Sequence, residues 1–86
     1  MATAKQLAKI YRALGNERRV EIMILLSKGP KTLTEISRKL SYPLSRTSAY
    51  VTELETFGLV KKTRKETNVF VEALVFLKTN GWIKFK

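Results

Sequence analysis

Eighty-six residues hold seventeen Lys plus Arg against seven Asp plus Glu, a formal net charge of +10. Cysteine and histidine are absent, which excludes disulfides, thiolate metal sites and the commonest metal ligand and general base. A single basic domain with an ordinary apolar share of 44% is expected, and a polyanion, nucleic acid before an anionic membrane surface, is its expected partner.

The first segment, Thr3 to Leu14, places Leu7, Ile10, Tyr11 and Leu14 at the spacing of one helical stripe. Gly15 then stands where a left-handed cap would end the helix. Asn16 is the expected cap of a second helix, with Glu17 in its first turn at the positive end of the dipole. Val20, Met23, Ile24 and either Leu25 or Leu26 give it a broad apolar face; Lys28 is assigned to its last turn, and Gly29-Pro30 stops it.

Thr32-Leu33-Thr34-Glu35 reads as a capping box, with Thr32 as cap and Glu35 reaching back. The short third helix that it opens turns Leu33, Ile36 and Leu40 inward and Arg38 and Lys39 outward. Ser41-Tyr42-Pro43 breaks it, because proline disfavours helical geometry in the residue before it. A fourth helix runs from Leu44 or Ser45 to Phe57, with Thr47, Val51, Leu54 and Phe57 facing in and Gly58 as its C-terminal cap.

After Gly58 the period changes. Residues 59–64 and 69–74 read as two strands joined by Lys65-Glu66-Thr67-Asn68, the second extending as far as Leu77 in one reading. Asn80-Gly81 suggests a tight hairpin returning through Ile83 and Phe85, with a short terminal helix as the alternative. No leader-like apolar run or membrane-length segment occurs, so a cytoplasmic, nucleoid-associated protein is expected.

Short helix, brief turn, longer helix and two-stranded hairpin form the order of a winged helix-turn-helix: α+β, mostly α, four helices and a β-wing in one domain over residues 1–86. Ala13-Leu14-Gly15-Asn16-Glu17-Arg18-Arg19-Val20, Thr34-Glu35-Ile36-Ser37-Arg38-Lys39-Leu40 and the run from Ser45 to Gly58-Leu59-Val60 resemble ArsR-type repressors. MarR-type winged helices are similar too. The likeness covers roughly residues 7–77 and implies a homodimeric transcription regulator that binds double-stranded DNA. Two departures stand out. The metal-sensing members carry thiols on the helix before the turn, where this chain has Leu33-Thr34-Glu35-Ile36-Ser37, so neither metal nor cofactor is expected. The family's long C-terminal dimerising helix also has no counterpart in the sequence.

On the fourth helix, Ser45, Arg46, Ala49 and Thr52 lie opposite the inward set, with Ser48 and Tyr50 at the flanks; these six are the expected DNA-facing residues. Arg46 is the candidate base reader, since arginine bonds guanine bidentately. The ordinary alternatives are a solvated charge for Arg46 and a core-edge ring for Tyr50. The wing offers Lys62, Arg64 and Lys65 to phosphates or the minor groove, or as lysines that guard an edge strand. Lys31, Thr32 and Thr34 open the third helix and are candidates for a phosphate contact, Thr32 equally for a cap alone. Arg19 is read as an ion-pair partner of Glu35 or Glu55. Leu7, Ile10, Tyr11 and Leu14, with the late aromatics Trp82 and Phe85, are the expected dimer contacts, or else core and a satellite cluster. A nucleoid-type DNA coater and a winged helix used for protein contact are the rival functions; no nucleophile–base pair suggests an enzyme.

Overall fold

The computed structural model describes residues 3–77 and 83–85, with the side chains of Phe76, Leu77 and Ile83–Phe85 outside the description. Four helices come first: α1 (Ala4–Ala13), α2 (Glu17–Leu26), α3 (Leu33–Leu40) and α4 (Leu44–Thr56), with a two-residue strand β1 (Lys31–Thr32) before α3. The strands β2 (Val60–Lys65), β3 (Asn68–Ala73), β4 (Val75–Leu77) and β5 (Ile83–Phe85) follow. The sheet order is β1-β3-β2, antiparallel, while β4 and β5 pair separately. This is a mostly helical α+β winged helix-turn-helix.

Local chemistry sets the helix ends. Thr3 and Gln6 form a capping box on α1, Asn16 accepts from the Arg18 and Arg19 amides, and Thr32 and Glu35 form the capping box of α3. Gly58, at φ 81°, takes the left-handed cap expected after α4. Gly15 does not take one. Leu14 closes α1 at φ −84°, and a Cβ on Gly15 would stand 3.3 Å from the Arg12 carbonyl. The space for a side chain there is tight, and no positive φ calls for glycine. The left-handed residue that ends α3 is Ser41, at φ 56°.

The core joins Ile10 and Ala13 of α1, Ile22, Met23 and Leu26 of α2, Ile36 of α3, Val51 and Leu54 of α4, and Leu59, Val60, Val71, Ala73 and Val75 of the strands. Fully burying a Val, Leu, Ile or Met side chain contributes about 1.5–3 kcal/mol. Thr47 is also buried, its hydroxyl donating to the Pro43 carbonyl at 3.0 Å. On α4, Thr47, Val51 and Leu54 turn inward as expected, while Phe57 is the C-cap and only half-buried. On α2 the inward set is not as expected: Ile22 is buried and Ile24 is 51% exposed. The run from Val20 to Leu26 is apolar nearly throughout, so its pattern does not fix which face turns inward. The helix also ends before Lys28.

The wing is tighter than its sequence suggests. Lys65 pairs with Asn68, which leaves a two-residue loop of Glu66 and Thr67, with Glu66 at φ 58°. The third strand stops at Ala73; the chain bends at Leu74, whose amide donates to the Leu59 carbonyl at 2.8 Å, and resumes as β4. The return through Ile83 and Phe85 is found, in register with Leu77 and Val75. Its Asn80-Gly81 turn and Trp82 lie outside the described residues. Among the described residues, no helix is long and apolar enough to cross a membrane.

Candidate nucleic-acid interface

Successive residues of a helix point about 100° apart, since a turn takes 3.6 residues. That rotation divides α4 into four strips. Thr47, Val51 and Leu54 enter the core. Leu44, Ser48 and Glu55 face the wing, and Arg46, Tyr50, Glu53 and Phe57 face α2. Ser45, Ala49, Thr52 and Thr56 remain, exposed, on the outer strip.

On the wing side the fold gathers Thr32, Thr34, Ser45 and Ser48 around an open cleft of about 410 Å³, together with Leu33, Leu44, Thr67, Asn68 and Val69. Residues from the start of α3, the start of α4 and the wing tip thus share one surface. A second cleft of about 350 Å³ continues it along Ser48, Glu55, Lys62, Arg64 and Val69. Arg64 and Lys65 are exposed, whereas Lys31 and Thr32 are half-buried and Thr34 is exposed. Lys62 is tied back to α4: its Nζ lies 3.4 Å from Glu55 Oε1 and donates to Thr52 Oγ1 at 3.3 Å. Its amide also donates to Glu55 Oε2 at 3.4 Å. The pairing spans seven residues across the Gly58 turn, a separation that no helical spacing rule flags.

On the α2 side, Arg19 pairs with Glu53 at 3.3 Å and its guanidinium lies 5.5 Å from the Phe57 ring centre. The ion pair expected for Arg19 is therefore present, with Glu53 in place of Glu35 or Glu55. Such surface pairs contribute about 0–1 kcal/mol each, but they have an electrostatic result. The two carboxylates of α4, Glu53 and Glu55, each face a cation, and both lie in the C-terminal half of the helix. Its first turns hold Arg46 and no acid. The end of α4 with the exposed strip is thus free of charge that would repel a polyanion.

Tyr42 is the residue sequence reasoning missed, having marked only a helix break. Its ring is buried, its hydroxyl donates to Glu21 Oε2 at 2.6 Å, and it meets Tyr50 edge-on at 6.4 Å. Burial pushes its pKa up, with the Glu21 bond adding to the rise. Tyr50 is half-buried and packs against the core edge. Glu35 is held below the usual carboxylate value, first by the Thr32 amide and then by the Thr32 hydroxyl.

Of the expected dimer contacts, Ile10 is buried in the core, Leu7 and Leu14 are half-buried, and Tyr11 is 52% exposed. Phe85 sits at a strand position opposite Val75.

A four-helix core, a short turn between α3 and α4, an exposed α4 strip and a basic two-stranded wing define a winged helix-turn-helix domain of the DNA-binding class. Residues 16–62 match the bacterial regulatory protein, arsR family. The chain belongs to the ArsR family, whose members are DNA-binding transcription regulators. It is 32% identical over 69 residues to the HTH-type transcriptional regulator Rv0324 of Mycobacterium tuberculosis, covering 80% of this chain and 30% of that regulator. The chain thus spans less than a third of that relative's length. Among solved structures, it is similar to the homodimeric winged helix-turn-helix DNA-binding domain of Mb0332 from Mycobacterium bovis, a possible ArsR-family transcriptional regulator. That match has a TM-score of 0.75 and 28% identity over 85% of this chain and 75% of that one. HlyU from Vibrio cholerae superposes with a TM-score of 0.78 at 26% identity, covering 81% and 74%.

Proposed function

We propose that this protein is a sequence-specific regulator that binds double-stranded DNA as a homodimer and represses by occluding a promoter. The observation that carries the proposal is the outer strip of α4, exposed beside Arg46 and bordered by cations while its own carboxylates are paired. In this reading Ser45, Arg46, Ala49 and Thr52 enter the major groove, with Ser48 and Tyr50 at its edges. Lys62, Arg64 and Lys65 lie along the backbone or minor groove, and Lys31, Thr32 and Thr34 meet a phosphate at the start of α3. Two half-sites would lie about one helical turn, or 34–36 Å, apart.

Dimerisation is supported by the half-exposed apolar residues of α1, by Tyr11 above all, and by the homodimeric state of the Mycobacterium bovis relative. Trp82 and Phe85 extend the proposed contact. Residues 1–86 act as one domain in this proposal, working in the cytoplasm at the nucleoid and without a metal or cofactor.

Selection of bound duplexes from a random pool tests the reading. A two-fold symmetric sequence should be enriched. Salt-dependent binding with no enrichment would favour a nucleoid coater, a reading to which the +10 charge also lends weight. Absence of binding would favour a protein-contact role.

A further inference from the structure

The flank of α4 away from the wing carries a second cationic feature. Arg18, the second residue of α2, lays its guanidinium over the Tyr42 ring, 5.0 Å from the centroid. Arg18, Ser41, Tyr42, Pro43 and Arg46 line an open cleft of about 280 Å³. Glu21, the carboxylate nearest Tyr42, is engaged by the Tyr42 hydroxyl at 2.6 Å.

Three physical points give this arrangement a direction. First, Arg18 is exposed yet held, because Tyr42 is fixed by burial, by Glu21 and by Tyr50. A guanidinium stacked on a fixed ring loses less freedom on binding than a free side chain. Second, a helix with its side chains is about 10–12 Å across, and the major groove is about 12 Å wide. A helix seated there has a sugar-phosphate backbone against each flank. Third, the wing and the start of α3 occupy one flank of α4, so the other backbone faces the α2 side, where Arg18 projects.

We infer that Arg18 binds a backbone phosphate of duplex DNA on the flank of α4 opposite the wing, beside the base edge that Arg46 reads. The inference rests on the DNA-binding reading above. It gives the two arginines of one cleft different work: Arg18 fixes register on the backbone, and Arg46 carries discrimination.

The test is fluorescence-anisotropy titration of the full chain over a salt series, on a duplex taken from the selection and on a scrambled duplex. Arg18→Gln should weaken binding by the same factor on both, and its plot of log affinity against log salt should be shallower by about 0.9. Arg18→Lys, which keeps the charge, should keep the wild-type slope and guards against a folding artefact. Lys9→Gln, which removes one charge from the exposed side of α1, should change the slope far less. An unchanged Arg18→Gln slope would overturn the inference, as would a loss confined to the selected duplex or an equal loss in Lys9→Gln or Arg18→Lys. If wild type itself shows no salt-dependent binding to either duplex, the DNA-binding reading fails first, and the inference falls with it.

Discussion

Arg46 leaves α4 in its first turn, from the strip between the exposed face and α2, and no acid stands in that turn with it. A bidentate arginine–guanine contact is worth about 1–3 kcal/mol of discrimination. Arg46→Ala should therefore relax preference at one base pair while other positions keep theirs; equal loss on every sequence would remove it from base reading. Lys65, exposed at the end of β2, is proposed as a backbone contact. Lys65→Ala should weaken all duplexes alike and flatten the salt slope by about 0.9, and an unaltered slope would exclude the contact. Gly58 offers a stability test that is independent of DNA. Nothing lies within 4 Å of a Cβ built on it, so the cost of Gly58→Ala comes from its φ of 81° alone. That change should destabilise the fold by more than about 1 kcal/mol in chemical denaturation, whereas a neutral result would show that the turn relaxes.

At the scale of elements, the N-terminal cap of α3 contributes stability that depends on pH. The Thr32 amide donates to Glu35 Oε1 at 2.9 Å, and the Glu35 amide donates to Thr32 Oγ1 at 3.1 Å. The folded pKa of Glu35 thus lies below its ordinary value of 4.5. Stability from this source is complete above that ordinary value and is lost as pH falls through the folded one. Melting temperature should therefore drop on acidification through this range, and less steeply in Glu35→Gln; parallel curves would assign the acid loss elsewhere. Thr32→Ala should cost about 1 kcal/mol through the lost cap. These ends were legible in the sequence because capping is local: Asn16, Thr32 and Gly58 each act within four residues. The inward face of α4 was legible too, since Thr47, Val51 and Leu54 recur at helical spacing with Ser48, Thr52 and Glu53 among the residues between them. The face of α2 was not, because its apolar run has no phase. Nor was the Tyr42–Glu21 bond, the Lys62–Glu55 pair or strand β1, each of which joins residues that only the folded chain brings together.

Over the whole molecule, the +10 charge and the paired acids of α4 act in one direction: they leave a cationic surface around a helix strip of short, uncharged residues. Each phosphate neutralised adds about −0.9 to the salt slope, so a steep dependence is expected from the wing, the start of α3 and the α2 flank together. The proposed self-association is assigned to α1. With Tyr11 half-exposed on α1, Tyr11→Lys should shift the protein towards monomer in sedimentation and lower affinity for a two-site duplex; an unchanged sedimentation profile would move the dimer contact elsewhere. The central claim is that the outer strip of α4 is what meets DNA. NMR chemical-shift mapping of the 9.9 kDa chain against a selected duplex tests it most directly. The largest amide and side-chain shifts are expected from Ser45 to Thr52, with smaller ones at Arg18, Arg64 and Lys65. Shifts centred on α1, with α4 unmoved, would contradict it.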